Sequence, residues 1–244
     1  PGTVGICAAI MHRYKVDAVP HLLCGGFSID ETENALIDLN FLNINNVLAL
    51  RGDARPFEKK FVPNPNGNVY AIDLVKQIKR MNQGIYLDTN IANGASTNFC
   101  IGVAGYPEKH FESPNGDMDL LYLKQKVDAG ADYILTQMFF DNKHYFDFVD
   151  KCRSIGIQVP IIPGLKPLTK RYQLQSIPRN FYVDIPKELA DEVHAAKTAE
   201  AVRAIGIEWC TAQSKELKAK GAPCLHYYTM GDSKTIKQIV EAIY

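Results

Sequence analysis

The run Val47–Leu50 is the feature that most constrains how this chain can fold. Four consecutive apolar residues without polar alternation indicate a strand that is buried on both faces, as in a parallel sheet. Arg51, Gly52 and Asp53 follow at once, so two charges and a conformationally permissive glycine come where the strand leaves the core. In parallel α/β proteins, ligands bind at that end of the strands. The tripeptide is therefore the first candidate site, with an ordinary strand-to-helix turn and an adhesion motif as open alternatives.

Strand and helix patterns alternate along the chain, which favours βα units around a parallel sheet. The predicted strands are residues 17–24, 47–50, 99–104, 133–140, 159–165 and 225–230; the predicted helices are residues 2–14, 28–41, 69–81, 117–129, 143–155, 169–178, a short helix from 186, 198–220 and 233–244. Residues 54–68 and 88–98 are predicted to be loops. Six strands are compatible with a doubly wound open sheet. Polar residues after nearly every strand favour a barrel with a ring of loops at one mouth instead.

Composition restricts the classes of partner and site. The 244 residues suit one large domain, and the 27 basic side chains equal the 27 acidic ones, so no bulk field favours nucleic acid or an anionic membrane. There is no run of eighteen apolar residues and no signal-peptide pattern. The six cysteines have no CxxC spacing and lie in apolar segments, which indicates buried reduced thiols. We therefore expect a cytoplasmic protein and predict no metal site.

A set of short motifs occurs in order across almost the whole chain. The motifs are Pro20-His21-Leu22, Ala49-Leu50-Arg51-Gly52-Asp53, Tyr70-Ala71, Tyr106-Pro107-Glu108-Lys109-His110, Asp119 to Ala131, Thr136-Gln137-Met138-Phe139-Phe140-Asp141, Ile161-Ile162-Pro163-Gly164 and His226-Tyr227-Tyr228-Thr229. This ordered set resembles the bacterial-type, FAD-dependent methylenetetrahydrofolate reductase family, the flavin enzymes of one-carbon and methionine metabolism. The resemblance implies an α/β fold, a (β/α)8 TIM barrel forming a single catalytic domain over residues 1–244, with FAD at the carboxyl ends of the strands.

The resemblance also implies an incomplete barrel. The family begins with a strand that ends in Phe-Glu-Phe-Phe-Pro-Pro, followed by a helix and a second strand, and these three elements are absent from this chain. The glutamate of that motif is the family's proposed general acid. We therefore expect this chain, as written, to be deficient in turnover.

The resemblance assigns the catalytic role to Asp53, beside the flavin pyrimidine ring. A carboxylate there disfavours negative charge on the reduced flavin, and it can also stabilise a cationic iminium form of the folate. Arg51 suits phosphate or carbonyl oxygens, and Gly52 permits close backbone approach. The assigned cofactor-binding residues are His21, Arg51, Gly52, Asp53, Tyr70, Ala71, Tyr106, His110, Asp119 and Lys126. Without the resemblance, His21 is equally well explained as a satisfied polar residue near the carboxyl end of its strand.

The remaining cofactor residues are expected to contact other parts of the FAD molecule. Tyr70-Ala71 begins a predicted helix, where free backbone N–H groups favour anionic ligand atoms. The resemblance places Tyr106 against the flavin or its ribityl chain and His110 near the adenosine half. Asp119 would accept from ribose hydroxyls and Lys126 would pair with pyrophosphate. The last two are seven residues apart and so share one helix face, although alone they are equally typical of solvated surface charge.

Gln137 is the sharpest candidate for substrate binding, because an amide on an apolar strand is costly unless it is paired. Its carboxamide can donate hydrogen bonds to, and accept them from, the pterin edge of a folate. The resemblance assigns Gln137 and Gln173 to substrate binding. The chain departs from the family pattern at Ile177, where a stacking phenylalanine is expected, and at Asp232, where an arginine is often found. A basic contact to the substrate is therefore missing or supplied elsewhere.

The resemblance implies reduction of 5,10-methylenetetrahydrofolate to 5-methyltetrahydrofolate, with NADH or NADPH passing hydride through FAD in ping-pong order. The expected partners are the folate and the nicotinamide, within a homo-oligomer, and neither nucleic acid nor a membrane. Two alternatives remain open. One is a Schiff-base aldolase that uses Lys166 at a strand end. The other is a non-catalytic remnant of the barrel, whose open sheet edges invite pairing.

Overall fold

The computed structural model describes residues 2–54, 58, 60–91 and 93–244. Within these residues there are six strands and nine helices, and every strand is followed by at least one helix. The strands are β1 (His21–Leu23), β2 (Asn46–Leu50), β3 (Cys100–Gly105), β4 (Tyr133–Met138), β5 (Ile161–Leu165) and β6 (His226–Tyr227). The helices are α1 (Thr3–Tyr14), α2 (Ile29–Phe41), α3 (Ala71–Asn82), α4 (Gly116–Asp128), α5 (Asn142–Ser154), α6 (Gln173–Phe181), α7 (Lys187–Ala195), α8 (Ala199–Ala219) and α9 (Ser233–Glu241). The predicted α/β alternation is confirmed.

The strands form one sheet in sequential order, from β1 to β6. The pairs β1–β2, β2–β3 and β5–β6 are parallel. Parallel neighbours need a crossover connection, and the helices between the strands provide it. The chain is organised as two compact units, which we name the first unit (Pro1–Ala104 and Gln125–Ile134) and the second unit (Gly105–Lys124 and Leu135–Tyr244).

The first unit is built around β2. Val47 and Ala49 are fully buried and Leu48 is nearly so, as expected for a strand covered on both faces. Burial of each Val or Leu side chain contributes about 1.5–3 kcal/mol relative to exposure. The predicted burial in front of Arg51 is therefore confirmed for Val47–Ala49, whereas Leu50 is half-buried.

Four predicted strands are shorter in the structure, by two residues each at 133–140 and 159–165 and by more at 17–24 and 225–230. Residues 17–20 precede β1, which begins only at His21. Pro20 has no N–H group to donate to the ladder, although its carbonyl accepts from the N–H of Leu48 at 3.0 Å. The last strand keeps only His226 and Tyr227 of the six residues predicted.

Helix α6 extends beyond its predicted end. Pro178 lies inside the helix, which continues to Phe181. A proline removes one intrahelical hydrogen bond but leaves its own carbonyl free to accept. Here the N–H of Tyr182 donates to the carbonyl of Pro178 at 2.9 Å and closes the last turn. The prediction that the helix stops at Pro178 is wrong.

The described parts of the two predicted loops contain neither helix nor strand. Residues 55–57 and 59 of the first loop, and residue 92 of the second, lie outside the described residues. Among the helices that the structure describes, none combines the length and apolarity that crossing a membrane requires.

The second unit has a core between α6, α7, α8 and the end of β4. Its buried members are Met138, Phe140, Leu168, Ile177, Val183, Leu189, Val193 and Val202. Trp209 of α8 packs against this core, and its Nε1–H donates to the carbonyl of Phe140 at 2.9 Å. Trp209 is therefore half-buried on the side of α8 that faces this core. Helix α8 packs directly against the backbone of Leu168 at Gly206, where an added Cβ atom would lie 1.7 Å from the carbonyl oxygen of Leu168.

We expect Gly206→Ala to lower the free energy of unfolding by about 1–3 kcal/mol or more, because the added methyl overpacks against backbone that cannot rotate away. Gly5→Ala is the matched control. Gly5 lies inside α1 with nothing within 4 Å of its Cβ position, so alanine should raise stability by roughly 0.5–1 kcal/mol. Urea denaturation of both variants measures the difference. Equal stabilities would contradict the packing described for α8.

Candidate active site

The turn after β2 carries Arg51, Gly52 and Asp53 in the first unit. Gly52 has φ of 91°, a left-handed conformation that strongly favours glycine. The guanidinium of Arg51 lies over the ring of Phe61, with 4.9 Å between Cζ and the ring centroid. Asp53 is exposed. The turn therefore presents a carboxylate to solvent and holds the neighbouring cation against an aromatic ring.

His21 does not lie where the sequence predicts. It is the first residue of β1 and pairs with Leu48, whereas Leu23 pairs with Leu50 beside the turn. Because Pro20 cannot donate to the ladder, the strand starts at His21 instead of ending near it. Two residue positions, about 7 Å along the strand, therefore separate His21 from the level of Leu50.

The start of α3 is less open to anions than predicted. The backbone N–H of Tyr70 donates to Oδ2 of Asp73 at 2.9 Å, so this N–H is not free as predicted. A carboxylate in the first turn satisfies a donor that would otherwise attract an anionic ligand. The Tyr70 side chain is 59% exposed, and Ala71 is the first residue of the helix.

Three predicted residues of the second unit are brought together in the loop after β3. The rings of Tyr106 and His110 meet edge to face, with centroids 4.7 Å apart. The N–H of His110 donates to Oδ2 of Asp119 at 3.0 Å, and Oγ of Ser113 donates to Oδ1 at 2.7 Å. The Asp119 carboxylate at the start of α4 therefore holds the loop that carries the two rings.

Sequence reasoning missed how this loop is strengthened from within. Lys109 has φ of 91°, which is unusual for a residue other than glycine. Its Nζ donates to the carbonyl of Ser113 at 2.7 Å and to that of His110 at 3.2 Å. The aromatic series also continues, since Phe111 stacks on Tyr182 with centroids 4.8 Å apart. No local sequence signal marks either feature.

Lys126 lies two turns after Asp119 on α4, as predicted. Its Nζ donates to the carbonyl of Ala104 at 2.7 Å, within the first unit.

The two predicted substrate glutamines use their carbonyl oxygens locally. Oε1 of Gln137 accepts from the N–H of Met138 at 2.9 Å. Oε1 of Gln173 accepts from the N–H groups of Thr169 and Lys170, both at 2.8 Å, and Gln173 is 9% exposed. Gln173 therefore anchors the loop before α6, whereas Gln137 is half-buried and its carbonyl oxygen bonds within its own strand.

The two departures from the family pattern have structural explanations. Ile177 is 2% exposed within the core of the second unit, so its side chain serves packing. Asp232 caps α9 by accepting from the N–H of Thr235 at 3.2 Å. Nη1 of Arg203 lies 3.2 Å from Oδ2 of Asp232, so α8 supplies a basic group beside this position.

Lys166 follows β5 directly and is half-buried, and desolvation lowers the pKa of its ammonium group. Tyr228, which follows β6, is tied to β4, two strands away in the sheet, because its hydroxyl donates to the carbonyl of Thr136 at 2.8 Å. Burial raises the pKa of Tyr228 to about 12, so the phenol stays protonated at neutral pH. Oγ1 of Thr136 in turn accepts from the N–H of Gly164 at 2.9 Å.

A separate cleft of about 540 Å³ lies between α6, α7 and the segment that joins them. Its ionisable lining residues are Arg171, Asp184 and His194. None of the sequence-predicted site residues lines this cleft, as far as the described residues show.

We expect Asp119→Ala to release the loop after β3. Hydrogen bonds to a charged acceptor contribute about 1.5–3 kcal/mol each, so exchange of the His110 amide should accelerate roughly 10- to 100-fold. Hydrogen-exchange mass spectrometry of the full chain measures this rate. Asp117→Ala, an exposed position on the same helix turn, should leave the amide protected. Equal protection in all three proteins would exclude the anchoring role.

The amino-acid sequence was compared with protein families and with individual proteins. The methylenetetrahydrofolate reductase family profile matches residues 1–244. The relative named methylenetetrahydrofolate reductase (NADH) 1 from Arabidopsis thaliana is 37% identical over 243 residues, which cover 96% of this chain and 39% of that protein. The 5,10-methylenetetrahydrofolate reductase of Escherichia coli is 34% identical over 229 residues, which cover 93% of this chain and 70% of that protein. The chain thus spans about two fifths of the plant relative's length.

Solved structures resemble the chain in fold at low sequence identity. A Clostridium thermocellum protein, described as binding two copies of 5-methyl-5,6,7,8-tetrahydrofolic acid, has a TM-score of 0.56 and 14% identity, covering 96% of this chain and 76% of that one. A 2,3-dimethylmalate lyase has a TM-score of 0.54 and 8% identity, covering 98% and 62%. These two likenesses concern the fold alone. The profile match over the whole length, together with the 34% identity to the Escherichia coli enzyme, shows that the chain belongs to the methylenetetrahydrofolate reductase family.

Proposed function

We propose that this protein reduces 5,10-methylenetetrahydrofolate to 5-methyltetrahydrofolate, with NADH or NADPH as the reductant and FAD as the bound carrier. The observation that carries the proposal is the family match over residues 1–244, with the Escherichia coli relative at 34% identity. The names of the relatives include both NADH and NADPH forms, so either nicotinamide is compatible. FAD would supply the hydride chemistry, taking a hydride from the nicotinamide and releasing it to the folate methylene in ping-pong order.

The turn after β2 fits a flavin in chemical type. The left-handed backbone at Gly52 carries no side chain of its own, and the Leu23 side chain packs 3.7–3.9 Å from the position that a Cβ atom would take. Asp53 is exposed and free to face such a ring. Its carboxylate would disfavour negative charge on a reduced flavin and favour a cationic iminium form of the folate. Arg51 provides the planar cation suited to phosphate or carbonyl oxygens.

The loop after β3, in the second unit, has groups of its own that suit part of a dinucleotide. The edge-to-face pair of Tyr106 and His110 offers aromatic surface for a ribityl chain or an adenine ring. Asp119 already accepts two hydrogen bonds, and a carboxylate has about four lone-pair sites, so ribose hydroxyls still have acceptors there. His21 and the start of α3 at Tyr70 and Ala71 contribute less to the proposal, because the first is displaced along its strand and the second is capped by Asp73.

We propose further that residues 1–244 form a single catalytic domain of the (β/α)8 barrel class. The sequential strand order and the helix that follows every strand support this topology. A homo-oligomeric, cytoplasmic enzyme of methionine and one-carbon metabolism is the corresponding biological proposal.

The proposal is tested with the purified full chain. FAD uptake is followed by visible absorbance, and NADH or NADPH consumption is measured with and without methylenetetrahydrofolate. We expect Asp53→Asn to retain FAD and to slow the folate-dependent step roughly 10- to 100-fold, since each tenfold change corresponds to about 1.4 kcal/mol of barrier. Asp38→Asn, an exposed carboxylate of α2, is the control and should behave as wild type. A protein that takes up no FAD would overturn the proposal. Trapping of Lys166 by borohydride with a carbonyl substrate would replace it with aldolase chemistry.

The carboxamide of Gln137 gives a second prediction. With Oε1 held by Met138, its N–H donors are the groups available to a pterin oxygen or nitrogen. Gln137→Ala should raise the KM for the folate about 10-fold or more, because the substrate then loses a hydrogen-bond partner. Gln125→Ala on the exposed face of α4 is the control. Steady-state kinetics at several folate concentrations separate this effect from a change in kcat, and an unchanged KM would exclude Gln137 from the substrate site.

A further inference from the structure

Three residues of the second unit that the proposed reaction does not use converge at one point. Glu108 lies in the loop after β3, His144 in the first turn of α5, and Asp184 between α6 and α7. One ligand atom from each, a ring nitrogen and two carboxylate oxygens, lies within 4.8 Å of the other two. They come from segments 36 and 40 residues apart in sequence, so the tertiary fold brings them together.

The carboxylate of Glu108 carries the second observation. Its Oε2 accepts from the backbone N–H of Asp184 at 2.7 Å, which fixes the position of the side chain. Its Oε1 is buried and has no hydrogen-bond partner among the residues that the structure describes. A buried polar atom left without a partner costs about 1–3 kcal/mol, and more when the group is charged. An electropositive ligand at Oε1 would remove that cost.

We propose that Glu108, His144 and Asp184 bind a divalent transition-metal ion, with Zn²⁺ the best match. One imidazole nitrogen and two carboxylate oxygens form a mixed donor set, which suits zinc better than the all-oxygen preference of magnesium or calcium. Zinc holds such atoms at about 2.0–2.2 Å, which in tetrahedral geometry places them roughly 3.4 Å apart. The three atoms therefore need to move closer by an ångström or so.

The surroundings allow this contraction and a route of entry. Asp184 is exposed and also lines the cleft between α6 and α7, so its carboxylate can rotate and an ion can reach it from solvent. Because the Glu108 contact uses the backbone of Asp184, that rotation leaves the bond intact. Asp141, which caps α5 through the N–H of Lys143, adds a nearby negative charge that favours a cation.

The ion would join the loop after β3 to α5 and to the segment before α7. Glu108 stands between Tyr106 and His110, so metal binding would stiffen the loop that carries these rings. This inference is independent of hydride transfer, because it requires neither flavin nor folate.

The test is zinc binding by the full chain after chelator treatment and gel filtration. Isothermal titration should give one tight site per chain. Glu108→Gln and Asp184→Asn should each weaken its affinity at least 10-fold, and His144→Ala likewise. Co²⁺ should give a visible absorption band that the same three variants lose. His12→Ala, an exposed histidine of α1, is the matched control and should keep both signals.

Asp184→Asn keeps the backbone donor to Glu108 and changes an exposed side chain, so it tests ligation without disturbing the fold. Thermal unfolding of the metal-free proteins verifies that each variant is folded. Wild-type zinc affinity in the three cluster variants would overturn the proposal and leave Glu108 with a structural role alone, through its bond to the Asp184 backbone. Loss of the site in His12→Ala would overturn it equally, because the metal would then lie elsewhere.

Discussion

The carboxylate of Asp119 is the interaction on which the second unit's candidate residues depend. It accepts from the His110 backbone and from the Ser113 side chain, and so closes the segment between β3 and α4 into a fixed loop. Tyr106, Glu108 and His110 all project from that loop. A charged acceptor with two donors is a strong local constraint. A residue assigned to a ribose by family resemblance thus also has a structural task.

This double use of polar groups recurs at other positions of the candidate site. Asp73 occupies the N–H of Tyr70, and the amide oxygen of Gln173 satisfies two N–H groups of the preceding loop. Loops at strand ends carry many backbone donors without a ladder partner, and nearby side chains must satisfy them. A ligand-binding side chain is therefore positioned by one of its atoms and binds through another, as the carboxamide of Gln137 illustrates.

The sequence was sufficient for the element order because hydrophobic periodicity is a local property. The strand at Val47–Leu50 and the helix over residues 28–41 were predicted without tertiary information. In the structure Ser28 and Glu31 form a capping box at the start of that helix. Strand ends were not, since the extent of β1 depends on which N–H groups have a partner, and Pro20 has none to offer. The same contrast between local and tertiary information applies to the candidate site residues. Tyr106, His110 and Asp119 were assigned through the family resemblance, whose motifs are local in sequence, and the structure brings them into contact. The convergence of Glu108 with His144 and Asp184 was missed, because only the fold makes them neighbours.

The contact between Gly206 and the carbonyl of Leu168 has a consequence for how α8 is seated. A helix that touches backbone at one glycine has only one rotational setting. Turning it by a single residue, 100°, would bring the side chain of Ile205 or Ile207 against that carbonyl. Gly206 thus fixes the rotation of α8 about its own axis. That rotation sets the direction in which Arg203 and Trp209 point. The orientation of the Arg203 and Trp209 side chains therefore depends on a residue that has no side chain.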